Sequence, residues 1–116
     1  MTEAKAKVVH YSEVPALEIG EKAPGARIRW LIDKEHDGAP AFALRMVEIE
    51  PGGTSLLHSH AYEHENFVLE GKGKVLIQDR WHELKPGDAA LIPPNVMHQF
   101  VNDGDGLFKF LCGIPV

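Results

Sequence analysis

The sequence predicts an all-β chain folded as a compact sandwich or barrel. Eleven glycines and eight prolines punctuate it at short intervals. Between them lie short runs rich in β-branched and aromatic residues, and long windows of helical periodicity are missing. With 116 residues the chain is long enough for one domain with one hydrophobic core.

Residues 1–24 are mixed and polar and read as an N-terminal arm, with one short strand expected at 7–11. Residues 25–116 read as a single barrel domain. RIRWLID (27–33) alternates and predicts a strand. Residues 34–40 read as a loop turning at Asp37-Gly38. An apolar strand is expected over 41–50, ended by Pro51-Gly52-Gly53. Strands at 55–60 and 64–70 follow. Gly71-Lys72-Gly73 turns tightly into 74–78, and Asp79-Arg80 into 81–84. Pro86-Gly87-Asp88 leads to 89–92, Pro93-Pro94-Asn95 to 96–101, and residues 102–106 to a last strand at 107–113. The total is about nine to ten short strands.

The formal charge is -5, and no basic run or patch is visible, which argues against nucleic acid as a partner. The single cysteine, Cys112, cannot form an internal disulfide, so a reducing compartment is expected. No apolar stretch has the length of a signal peptide or a membrane span. The expectation is a cytoplasmic protein with no membrane partner.

Histidine is the commonest protein ligand for a transition metal. His58, His60 and His64 fall within seven residues, and His98 follows much later. Residues two apart on a strand share a face, so His58 and His60 aim together. His64 keeps their parity after a short turn. His98 must arrive on a strand that folds back. This arrangement describes a metal site. His10, His36 and His82 stand alone in polar surroundings and read as solvated surface residues.

The spacing around these histidines carries a family resemblance. Gly52 is followed at five intervening residues by His58, then by His60, His64 and Gly71. Gly87 is followed by Pro93, Asn95, His98 and Asn102. In this order and spacing the two stretches resemble the paired motifs of the cupin superfamily, and the likeness covers residues 41–112. It implies a double-stranded β-helix, a form of jelly roll, with a metal inside the barrel. Two positions depart from the commonest pattern. The slot that usually holds glutamate holds His64, while Glu63 and Glu65 point to the other face. Asn95 stands where glycine is usual, and asparagine tolerates a left-handed turn position. The all-histidine set resembles that of very small single-domain cupins. Their likeness implies one divalent transition metal per chain, manganese or iron first, with nickel, copper or zinc also compatible with imidazole. A homodimer is expected on the same ground.

Four neutral ligands leave a divalent ion its full charge, which favours small anionic or electron-rich substrates such as enolates, catecholates and carboxylates. They also leave two open positions on an octahedral ion and supply no general base. In the last strand, Phe108, Phe110 and Cys112 share a face that Lys109, on the opposite parity, marks as interior. Phe100 shares parity with His98. Cys112 reads as a small buried hydrophobe, and beside an oxygen-activating metal it would be an oxidation target. Arg45 interrupts the run FALRMV. It either enters the cavity mouth to orient an anion or pairs with an acidic residue at a subunit interface. Tyr62 either packs the turn or turns its hydroxyl to the site. Trp30 and Trp81 read as packing or interface residues.

Three functions are compatible with this reading. The expected one is a manganese- or iron-dependent dioxygenase that cleaves a C–C or C=C bond in a small electron-rich substrate, with two alternatives. Another is a Lewis-acid isomerase or decarboxylase that needs no oxygen. The last is a metal-dependent binder of anionic metabolites without turnover.

Overall fold

The computed structural model describes residues 4–116. Among these are nine strands, and the jelly-roll class expected from the sequence is the one observed. The strands are β1 (Leu17–Glu18), β2 (Ala26–Ile32), β3 (Phe42–Ile49), β4 (His64–Glu70), β5 (Gly73–Ile77), β6 (Arg80–Leu84), β7 (Ala89–Ile92), β8 (His98–Val101) and β9 (Phe108–Pro115). A six-stranded sheet has the order β1-β2-β3-β9-β4-β7, and a three-stranded sheet the order β6-β5-β8. All strand pairs are antiparallel.

Period-two alternation places the core. Val47 and Ile49 of β3, Val68 of β4, Ile92 of β7, Phe100 of β8 and Phe108 and Phe110 of β9 are all buried between the sheets. Phe100 and Phe110 stack with ring centroids 4.4 Å apart, and Phe108 lies 5.2 Å from Phe110. The Phe108 ring occupies the space where a side chain at residue 73 would stand, so position 73 must be glycine. Asn102 closes the loop before β9. Its amide donates to the carbonyls of Ile49 (2.7 Å) and Gly106 (2.8 Å) and accepts from Gly104 N–H (2.9 Å), which satisfies a buried polar group.

Three expectations need correction. Residues 7–11 form no strand; Lys7 instead donates from Nζ to the Leu31 carbonyl and Asp37, and a single 3-10 turn follows at Tyr11–Glu13. The arm's strand is β1, which pairs with the edge of β2. Residues 34–40 contain a one-turn helix, α1 (Lys34–Asp37). Asp33 caps its start by accepting from His36 N–H at 2.7 Å, and Gly38 ends it at φ 71°. The Asp-Gly signal therefore marks a helix end rather than a loop turn. Residues 55–60 form no continuous strand and meet β8 at the His58–His98 bridge and through Ser55. The ladder breaks because Ser55 Oγ accepts the Phe100 N–H, and Gln99 Nε2 donates to the Ser55 carbonyl.

Lys109 does lie on the outer side of β9, but that side is covered there. The arm lays Tyr11 over it, with Nζ 4.3 Å from the ring centroid and 3.3 Å from the hydroxyl. Glu48 stands below, 3.7 Å from Lys109 and 3.1 Å from Arg29. Arg29 in turn donates to the carbonyls of Tyr11 and Val14. The arm is thus fastened across the outer face before β1 wraps the sheet edge. Among the described residues no helix is long and apolar enough to cross a membrane.

Candidate metal centre

The four predicted histidines come together in space. His58 stands on the irregular segment before β4, His60 just after it, His64 opens β4 and His98 opens β8. The His58 and His98 backbones exchange both hydrogen bonds, at 3.2 and 3.0 Å, and this fixes the crossing of the two motifs. Asn95 adopts the left-handed conformation at φ 66°, and its N–H donates to the His60 carbonyl at 2.7 Å. Ring centroids of neighbouring histidines lie 4.7 to 5.2 Å apart. Candidate ligand atoms of His58, His60 and His98 all fall within 4.8 Å of one another. His64 adds its Nε2 at 3.1 Å from that of His98.

The tautomers follow from the hydrogen bonds. Each Nδ1 has an oxygen acceptor two residues away: the Leu56 carbonyl for His58 (3.1 Å), the Tyr62 carbonyl for His60 (2.7 Å), Asn66 Oδ1 for His64 (2.7 Å) and the Val96 carbonyl for His98 (2.9 Å). A carbonyl only accepts, so each Nδ1 carries the proton and each Nε2 keeps a lone pair. The Asn66 amide is oriented by its own donation to the Leu111 carbonyl at 3.4 Å. Burial, then the neighbouring His98, drives the His64 pKa down to about 3, and burial lowers that of His98. Both rings are therefore neutral at ordinary pH. Two lone pairs facing each other at 3.1 Å repel, and a shared cation relieves that repulsion. The donor set fits a divalent transition metal, with the ring orientation supplied by carbonyl acceptors.

The site opens into a cavity of about 330 Å³. Ile28, Val47, Leu56, Phe100 and Phe110 form its apolar wall. Phe100, Phe110 and Cys112, whose parity points inward, line it, and so do Arg45 and Tyr62, for which the sequence left two roles open. Phe108 does not line it. It lies one layer deeper, fully buried against Gly73, because its place on β9 is two residues further from the site than that of Phe110. Tyr62 stacks on His60, with centroids 4.1 Å apart and planes 10° from parallel. Cys112 Sγ lies 3.5 Å from His64 Nδ1, and burial raises its pKa against the pull of Arg45, so it stays a thiol. His10, His36 and His82 are exposed and far from the cluster in the fold, and His36 pairs with Asp33 at 2.8 Å.

Several lining residues were not read from the sequence. Asn66 was legible, since it shares the parity of His64 two residues earlier. Trp30 faces Arg45 across the β2–β3 register, and only the pairing reveals it. Leu17, Glu18 and Ile19 come from the arm and reach the cavity through β1, which no local pattern announced.

Comparison with known proteins agrees with this architecture. Protein SchB of Streptomyces halstedii is 32% identical over 106 residues, which covers 90% of this chain and 74% of that protein. The 1-methylthio-D-xylulose 5-phosphate methylsulfurylase of Rhodospirillum rubrum is 35% identical over 69 residues, and the match spans only 44% of that enzyme. Among solved structures, the polyketide cyclase RemF from Streptomyces resistomycificus superimposes with a TM-score of 0.87 at 36% identity, covering 96% of this chain and 80% of that one. A family model described as a cupin domain matches residues 45–114, across both histidine motifs. The chain belongs to the cupin family.

Proposed function

We propose that this cupin is a mononuclear metal-dependent enzyme for a small enolisable anion, working by Lewis-acid chemistry of the ring-closing or isomerising kind. The observation that carries the proposal is the convergence of four Nε2 lone pairs on an apolar-walled cavity, each locked by its Nδ1. His58, His60, His64 and His98 would hold the ion, manganese or iron in first place with zinc, nickel and copper compatible. When bound, it supplies positive charge that polarises a carbonyl or enolate oxygen.

The chain's own residues supply the rest. Phe100, Phe110, Val47 and Ile28 exclude water from one side of the cavity. Asn66 holds the His64 ring in its orientation. Glu18 is the sole carboxylate among the lining residues, and we propose it as the candidate proton acceptor. This answers in part the lack of a general base among the ligands. The likeness to RemF, whose name describes a polyketide cyclase, supports a substrate with several carbonyl or enol oxygens.

A dioxygenase is the second reading, favoured by the neutral nitrogen set beside an apolar wall. Assay of the manganese-, iron- and zinc-loaded protein on β-diketone and polyphenol substrates separates the two. The proposal expects metal-dependent conversion under nitrogen. Conversion with manganese or iron that stops without oxygen would select the dioxygenase, and metal-loaded protein inert in both atmospheres would point to a binder.

A further inference from the structure

We infer that Arg45 sets the substrate class by binding a carboxylate on the molecule that meets the four histidines. This deepens the proposed function and rests on it. Arg45 lies on β3 with its side chain on the inner face, sharing parity with buried Val47 and Ile49. Its register partners are Trp30 on β2 and Cys112 on β9. The guanidinium lies 5.3 Å from the Trp30 ring centroid. Its single hydrogen bond among the described residues runs from Nη2 to Cys112 Sγ, at 2.8 Å.

A guanidinium offers five N–H donors, and a thiol is a weak acceptor. The Nε of Arg45 is buried and finds no acceptor at all. No carboxylate of the described residues pairs with it, whereas Arg27 and Arg29 on the neighbouring strand both reach Glu48. Within one chain Arg45 thus has no acidic partner among the described residues; an acidic residue across a subunit interface is the competing partner. Half-burying a charge and leaving its buried Nε without an acceptor costs stability. A methionine would pack against Trp30, Val47 and Cys112 without that cost. The Trp30 ring and the Cys112 thiol leave most of the guanidinium's N–H donors unused, and a carboxylate on the ligand would engage them.

The ligand chemistry follows from the surroundings. Arg45 and the histidines line one cavity, and the Cys112 thiol touches both groups, at 2.8 Å from Arg45 and 3.5 Å from His64. A planar guanidinium matches a carboxylate in a two-pronged contact. The molecule is therefore short, with vicinal or β-related oxygens at one end and a carboxylate at the other. Glu18, at the arm side of the same cavity, disfavours a second negative group there.

Catechol and 3,4-dihydroxybenzoate test this directly, because they share the chelating oxygens and differ by one carboxylate. Calorimetric titration of the zinc-loaded protein should show 3,4-dihydroxybenzoate binding at least about tenfold tighter, the gain expected of one charge-assisted contact. Arg45→Gln should bring its affinity to within about twofold of catechol while catechol binding holds, and Arg45→Lys should keep part of the preference. In the metal-free protein Arg45→Met should raise the melting temperature. Preference that survives Arg45→Gln, equal binding of both ligands by wild type, or failure of both to bind a metal-loaded protein would overturn the inference. A lowered melting temperature for Arg45→Met would do so as well, by giving Arg45 a structural role. Failure of the metal centre is distinguishable, since that protein would take up no zinc.

Discussion

Every histidine of the cluster is tied to an oxygen two residues away, and this reach sets each tautomer. Backbone carbonyls do it for His58, His60 and His98, and a side chain does it for His64. The sequence showed the histidines and their parity but not their acceptors, because a carbonyl has no sequence signature. Asn66, two residues from His64 and of the same parity, is the one acceptor with a sequence signature. The neutral state of His64 has a measurable consequence. The unfolded chain takes up this proton near pH 6.5, while burial holds the folded value at about 3. Unfolding therefore binds a proton between those values, and the metal-free protein loses stability as pH falls from about 6.5 toward 3. One such group contributes about 1.4 kcal/mol per pH unit within that window, and His98 acts with the same sign. Urea denaturation between pH 6.5 and 5, above the carboxylate range, should show this slope, and His64→Asn should reduce it. A flat profile would mean that the ring is hydrated and not buried as found.

At the scale of elements, strands with clean alternation were legible and irregular segments were not. The strands from β4 to β9 fall within a few residues of expectation, because their turns are marked by Gly-Lys-Gly, Asp-Arg, Pro-Gly-Asp and Pro-Pro-Asn. Residues 55–60 carry a strand pattern, yet Ser55 takes the Phe100 N–H with its hydroxyl and breaks the ladder. That break frees the segment to curve, and His58 and His60 aim at the site from it. Strand β1 is two residues long and exists only through pairing with β2. Element packing is close where β5 begins under β9. Gly73→Ala would push a methyl group into the Phe108 ring. We expect it to cost about 1–3 kcal/mol by overpacking, seen as a lowered urea midpoint with an unchanged slope. An unshifted midpoint would show that β9 gives way easily and that the ring does not define the barrel floor.

For the molecule as a whole, two sheets enclose one core and leave one end open as the histidine-lined cavity. The closed end is filled by Phe108 and its neighbours, and the open end by histidines, Arg45 and the arm residues of β1. This division explains which pocket residues parity could find. Alternation told inner from outer for Phe100, Phe110 and Cys112, but depth along the barrel axis separates Phe108 from them. Depth depends on how the sheets close. The outward side of β9 behaved the same way: Lys109 was correctly placed outside, yet the arm returns to cover it. The central proposal is that the four imidazoles hold one divalent ion at this open end. Elemental analysis of the isolated protein beside the His64→Ala and His98→Ala variants tests it most directly. The account predicts about one equivalent of a divalent transition metal per folded chain in the wild type and its loss from both variants. Unchanged metal content in folded variants, or a wild-type protein that takes up no manganese, iron or zinc, would contradict it.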